Sequence, residues 1–144
     1  MTPATKGEKS FHLKNDLSEL ERLRQAVAEF GERHNLPKDV IFNVNLALDE
    51  ILTNVICHGY GDSEEHDISV RLFLEQEKLT VEVEDDARPF NPLEASEPDV
   101  DQSLEERPIG GLGIYLVRQM MDELEYRRGN DKNHLILAAR FRET

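Results

Sequence analysis

The chain has 144 residues, enough for one hydrophobic core and short for two, and its 38% hydrophobic and 33% charged residues suit a globular domain. A net charge of −13 argues against a binder of the nucleic-acid phosphate backbone, which would repel it, but leaves room for small anionic ligands held by local amides and a metal. No unbroken apolar run approaches the roughly 20 residues of a membrane span, the stretch MTPATKGEKS lacks a secretory apolar core, and the single Cys57 allows no internal disulfide, so no membrane partner and a cytoplasmic setting are expected.

Residues 1–9 read as a flexible tail and 10–144 as one domain. FHLK (11–14) alternates like a short edge strand. Asp16, with Glu19 at the third helical position, predicts a capped helix start, and Leu17, Leu20, Leu23, Val27 and Phe30 recur at helical spacing. Gly31 and the HNLP stretch end that helix or set up the next. Pro37 suits a first helical turn, Val40, Val44, Leu48, Ile51, Leu52 and Val55 share one apolar face, and Gly59-Tyr60-Gly61 stops the helix. DISVRLFLEQ (67–76) and LTVEVED (79–85) alternate around a turn at Glu77-Lys78, the pattern of an antiparallel hairpin. Residues 93–109 are acidic, carry Pro98 and Pro108 and show no period, as long binding loops and lids do. Gly110-Gly111-Leu112-Gly113 opens a third helix at about 112–121, and ELEYRR and HLILAARF read as two further strands. The expected fold is therefore an α/β two-layer sandwich of the α+β kind, with helices on one face of a mostly antiparallel sheet.

Three stretches carry chemical content. In LALDEILTNVICHGYG (46–61), helical spacing places Asn43, Ala47, Glu50, Asn54 and His58 on one stripe beside the apolar face, with Asp49 turned toward water. Glu50 and Asn54, one turn apart, can orient a hydroxyl and offer an oxygen to Mg²⁺, although the spacing equally fits an ordinary amphipathic helix with polar borders. In VEVEDDARPFNP (81–92), the alternation that turns Val81 and Val83 inward does the same to Asp85 and leaves Asp86 outside. An inward acid needs donors, from a ligand's amino group or from the protein itself. In IGGLGIYLV (109–117), glycines at a helix start permit close approach of an anion to free amides, or simply make a tight turn. Neither a P-loop nor a dinucleotide fingerprint is present, since no Gly-Lys-Ser/Thr follows and Leu116 stands where a third glycine belongs.

In this order, over roughly residues 10–142, the three stretches resemble the GHKL superfamily of Bergerat-fold ATP-binding domains. DEILTNVICHGYG, DDARPFNP and RPIGGLGIYLVRQMMDELEYRR look most like its small stand-alone branch of anti-sigma-factor serine-protein kinases. The resemblance implies ATP and Mg²⁺ as cofactors, with Asn54 as the metal ligand and Glu50 as the catalytic general base. It implies that Asp85 accepts from the adenine amino group, with His58, Ala87, Pro89 and Phe90 beside the nucleotide. It further implies that 93–109 is the ATP lid and that Gly110, Gly111, Leu112 and Gly113 meet the phosphates. Three positions depart from the family pattern: Ala87 replaces a glycine, Asn91 stands where an acid is common after the phenylalanine, and the last strand lacks a Gly-Thr pair, near whose place Asn133 could supply the hydrogen bond by a different side chain. The expected partners are an anti-sigma-factor antagonist carrying the target serine and a sigma factor sequestered by the same domain, with a homodimer common in the branch. The alternative is a non-catalytic, ATP-dependent binding switch of the same fold.

Overall fold

The computed structural model describes residues 7–94 and 111–142. The acidic stretch 95–109 and Gly110, expected to form a lid and a phosphate contact, lie outside the described residues. The elements run β1 (Gly7–Lys14), α1 (Glu19–Arg33), α2 (Lys38–His58), β2 (Asp67–Glu75), β3 (Lys78–Asp85), a 3-10 turn at Pro92–Glu94, α3 (Gly111–Met120), β4 (Glu123–Gly129) and β5 (Lys132–Arg140). All strand pairs are antiparallel, in the order β1-β2-β3-β5-β4.

The core follows from two periodicities. Period-2 alternation buries Ile68, Val70, Leu72 and Leu74 from β2, Leu79, Val81 and Val83 from β3, and Leu135, Leu137 and Ala139 from β5 on one sheet face. Helical spacing turns Leu20, Leu23, Val27 and Phe30 of α1, and Val40, Val44, Leu48, Ile51 and Leu52 of α2, onto that face, and α2 packs against both α1 and α3. The open sheet face carries crossed ion pairs instead, such as Arg71 with Glu8 (3.0 Å) and Lys132 with Glu84 (3.0 Å).

Several local expectations need correction. Residues 7–9, expected in a flexible tail, belong to β1, where they pair with Leu74, Phe73 and Leu72. Asp16 and Glu19 do not form a reciprocal cap: Asp16 Oδ1 accepts the Ser18 amide (2.9 Å), while Glu19 Oε1 accepts the Lys14 amide (3.0 Å) and ties the helix start to β1. Leu17 precedes the helix and is 48% exposed, outside the core that the periodicity assigned it to. Gly31 does not end α1. A Cβ there would lie 2.5 Å from Ile41 Cγ1, so the glycine lets the two helices meet closely, and the chain reverses only at Asn35, with φ of 56°. Asp49 faces α1, accepting from Arg24 Nη2 at 2.9 Å, rather than bulk water. The β2–β3 turn is Gln76-Glu77, since Lys78 already pairs with Glu75, and Glu77 takes the left-handed conformation (φ 54°).

The contrast between Leu52, fully buried, and Leu17 provides a test of this packing. Leu52→Ala should lower unfolding stability by about 2–5 kcal/mol, whereas Leu17→Ala should change it by no more than about 0.5 kcal/mol. Urea melts of both variants would measure the difference, and equal losses would contradict the packing described here.

Candidate functional site

The strand registers that bury the core also assemble a polar cluster at one end of the sheet. Asp85, the last residue of β3, stands opposite Asn133 of β5, which stands opposite Arg128 of β4. The C-terminal end of α2 covers the same strand ends, forming a cleft of about 240 Å³ between helix and sheet. Asn54 and His58 border it from α2, Asp85 and Asn133 from the sheet, and Ala87, Pro89 and Phe90 from the segment after β3. Seven residues expected around a ligand are thus brought to one cavity. Glu50, half-buried, lies one turn back along α2, about 6 Å from Asn54 at 1.5 Å per residue. Gly111, Leu112 and Gly113 form the first turn of α3, whose packing on α2 brings that helix start to the same layer.

Asp85 is the only buried carboxylate among the described residues, 5% exposed. Its Oδ1 accepts from the Asn133 amide nitrogen (2.8 Å) and from the Ala87 backbone N–H (3.0 Å), and these are its hydrogen bonds among the described residues. Oδ2 is left for the cleft that Asp85 lines. Burial pushes the Asp85 carboxyl above the usual carboxylate range, while the bonds from Asn133 and Ala87 pull it partly back. Asn133 is fully committed. Its amide nitrogen also reaches the carbonyls of Ala87 (3.3 Å) and Arg88 (3.0 Å), and its oxygen accepts from the Tyr126 hydroxyl. Arg128 Nη1 donates to the same Ala87 carbonyl at 2.8 Å.

Asn54 is poised differently. Its amide nitrogen donates to the Glu50 carbonyl one turn earlier (2.9 Å), which turns Oδ1, an oxygen of the type hard cations take, away from the helix axis. The donor set fits Mg²⁺: one protein amide oxygen at a cleft rim, with the remaining positions left for water and phosphate.

Ala87 does not strain the backbone. Among the described residues, the non-glycine ones with positive φ are Asn35, Glu77, Asn130 and Asp131. Its methyl meets the end of α2, where a Cβ added to Gly59 would lie 2.7 Å from Ala87 Cβ and 2.5 Å from the Val55 carbonyl oxygen. The Gly59 carbonyl in turn accepts the Arg88 N–H (2.9 Å), stitching the segment after β3 to the helix. On the outer side, Asp86 is exposed as expected and bonds His66 Nδ1 (3.1 Å), whose Nε2 bonds Asp62 (2.8 Å). His66 stacks on Tyr60 with ring centroids 4.1 Å apart. Burial, followed by the charges of Asp85 and Asp86, drives the Tyr60 phenol well above its ordinary range, so it stays neutral.

Sequence reasoning missed Tyr126, Arg128, Gly59 and Arg88. The signal for the first two was present: alternation in ELEYRR puts Leu124, Tyr126 and Arg128 on the sheet face that Asn133 shares.

A two-layer α+β domain with a buried acid at a strand end, under the end of a helix, outlines a cleft of the kind small molecules occupy. The sequence itself identifies which kind. Residues 13–139 match the family described as the histidine kinase-like ATPase domain, and the chain belongs to that family. Among curated relatives, it is 29% identical over 98 residues to the serine/threonine-protein kinase BtrW of Bordetella bronchiseptica, covering 68% of this chain and 69% of that protein. It is 32% identical over 108 residues to an anti-sigma F factor of Clostridium novyi, covering 70% of this chain and 71% of that protein. A serine-protein kinase RsbW of Listeria monocytogenes is 27% identical over 106 residues, covering 71% of this chain and 68% of that one. The histidine kinase domain of a blue-light activated kinase from Erythrobacter litoralis shares the fold, with a TM-score of 0.54 and 21% identity; the match covers 86% of this chain and 60% of that one.

Two measurements test the architecture of the site. Gly59→Ala should force apart the end of α2 and the Ala87 turn, costing about 1–3 kcal/mol, and thermal melts together with ligand titration should show both a less stable protein and a weakened cleft. His66 gives a pH signature. The bonds to Asp62 and then Asp86 raise its pKa, so their stabilisation is complete below about pH 6.5, the ordinary imidazole value, and fades as pH rises through the raised folded value. The melting-temperature advantage of wild type over His66→Gln should therefore be largest between about pH 5 and 6.5. An advantage that instead grew with alkalinity would refute the assignment.

Proposed function

We propose that the cleft binds ATP with Mg²⁺ and that the protein is a serine/threonine protein kinase of the anti-sigma-factor type, acting in the cytoplasm on an anti-sigma-factor antagonist. The observation that carries this reading is Asp85, a buried carboxylate that lines the cleft with one oxygen held by the protein and the other without a protein donor among the described residues. Such an oxygen calls for a donor such as the amino group of adenine. The cleft, at about 240 Å³, falls just below the roughly 300–1,000 Å³ of complete small-molecule sites, which suits a base with its phosphates reaching outward.

The order of side chains along α2 supports the rest. His58 and Asn54 lie toward Asp85, and Glu50 lies one turn farther on. A nucleotide with its base on Asp85 would lead its phosphates past Asn54 toward the amides of the first turn of α3. Mg²⁺, when bound, would neutralise charge on the phosphate oxygens. Asn54 Oδ1 would hold that ion in place. The Glu50 carboxylate would accept the proton of the partner's serine hydroxyl as its oxygen attacks the γ-phosphorus and the bond to the β-phosphate oxygen breaks, leaving phosphoserine and ADP. Amides at the start of α3, around Gly111 and Gly113, would face the transferring charge. The names of the relatives, an anti-sigma F factor and a serine-protein kinase, support a sigma factor as one partner and a protein serine as the phosphate acceptor, and the antagonist would carry that serine.

One observation favours a second reading. Glu50 does not border the cleft, whereas Asn54 and Asp85 do. A domain that binds ATP and changes partner affinity without phosphotransfer needs only the latter two.

Mg-ATP at about 100-fold over its Kd should stabilise the fold by about 2.7 kcal/mol, a rise of roughly 5–10 °C in melting temperature. Asp85→Asn should abolish that rise and yet melt higher than wild type without ligand. With its folded pKa raised, the ionised Asp85 costs stability as pH climbs above the unfolded value of about 3.9, and the amide removes that cost. Glu50→Gln should keep the ATP shift while lowering transfer to the antagonist's serine at least about 100-fold. Full transfer by that variant would remove Glu50 as the base, and binding without transfer in wild type would establish the switch.

A further inference from the structure

Taking the adenine-nucleotide reading of the cleft as its starting point, the geometry points to Tyr126 and Asn133 as the pair that sets base selectivity: they keep Asp85 Oδ1 closed, leaving Oδ2 as a lone acceptor that suits adenine and disfavours guanine. A carboxylate alone does not choose adenine. Guanine presents N1–H and its 2-amino group side by side, and a carboxylate with two open oxygens would accept both in a forked pair. Adenine presents one amino group beside an acceptor nitrogen, so it can use only one oxygen. Selectivity therefore depends on how many oxygens of Asp85 the protein leaves open.

Among the described residues, the structure leaves one. Asn133 Nδ2 and the Ala87 N–H both converge on Oδ1, at 2.8 and 3.0 Å. Asn133 is 6% exposed, so each of its polar atoms needs a protein partner. Its nitrogen faces three acceptors, Asp85 Oδ1 and the carbonyls of Ala87 and Arg88, and its oxygen is satisfied by the Tyr126 hydroxyl. Flipping the amide would set its oxygen against three others. Removing the Tyr126 hydroxyl would strand that same oxygen in a buried place, and the side chain could satisfy it only by rotating out of the cluster, which uncovers Asp85 Oδ1. Tyr126 acts through Asn133 and is a positioning residue.

The test uses the full chain and calorimetric titration with the Mg²⁺ complexes of ATP, GTP and ITP. Inosine keeps N1–H and lacks the 2-amino group, so it reports whether the second guanine donor finds an oxygen. In the wild type, GTP should bind at least about tenfold weaker than ATP because its second donor is stranded against the closed oxygen, while ITP, whose N1–H is its one donor at that edge, should fall between the two. In Tyr126→Phe and in Asn133→Ala, the ATP preference over GTP should narrow by about threefold to tenfold, with GTP gaining on ITP as the forked pair becomes available. The Asp85 carboxyl, followed by carbon NMR, should titrate higher in both variants, because the bond from Asn133 that now lowers its pKa is weakened or gone. A role in packing alone would not move that titration. Wild-type binding of GTP within about threefold of ATP, or an unchanged preference in both variants, would overturn the assignment, and the wild-type comparison decides it even where a variant fails to fold. Wild type that binds none of the three nucleotides would remove the nucleotide reading itself, an outcome distinct from binding without selectivity.

Discussion

Placing an ionised carboxylate inside a protein costs several kcal/mol unless donors surround it, and at Asp85 the described residues supply donors to one oxygen only. The sheet makes this position unavoidable. Val81 and Val83 are buried in the core, and residue 85 shares their face by the period of the strand. A slip of one residue in the pairing of β3 with β5 would expose three core side chains along with the acid, so the hydrophobic face itself holds the carboxylate in register. The same pairing brings Asn133 opposite Asp85, and its amide then supplies the donor that the carboxylate needs.

The helix layer follows the same logic. Val40, Val44, Leu48, Ile51 and Leu52 anchor α2 over the sheet, and the helix continues past the core so that Asn54 and His58 overhang the strand ends. A side chain on a helix anchored by six buried residues, Ala47 among them, is held more firmly than one on a loop. The back-bond from Asn54 to the Glu50 carbonyl fixes which end of the amide faces out. Polar residues at helical spacing are therefore more than a border to the apolar face here, because the helix runs beyond the hydrocarbon it covers.

What could be read in the amino-acid order divides along this line. Strands and helices that bury one face announced themselves through their periods, and the inward turn of Asp85 followed from the alternation that also placed Val81 and Val83. Contacts between elements were not visible. Nothing in the order of residues says that Gly31 sits against Ile41, so a glycine inside α1 read as a helix end. Nor does spacing reveal that Glu19 would spend its carboxylate on the Lys14 amide instead of a cap. Tyr126 shares the face of Asn133 by simple alternation, yet its hydroxyl matters only once β4 and β5 are known to pair in that register.

Ala87 shows why such contacts decide function. Read along the chain, an alanine in place of the family's glycine adds a methyl group close to the nucleotide. In three dimensions the residue needs no left-handed backbone, and its methyl is met by Gly59 at the end of α2, where any side chain would collide. The small residue that the contact requires has therefore been supplied from the other side of it. The Gly59 carbonyl accepts the Arg88 amide and the Ala87 carbonyl accepts from Arg128 and Asn133, so the turn after β3 is tied to α2, β4 and β5 at once. A turn braced from three directions holds Asp85 at the cleft wall with Oδ1 engaged before any ligand arrives. That pre-set position is what makes binding at a buried acid favourable, since the cost of desolvating the carboxylate is already met in the folded chain and a ligand's donor recovers part of it.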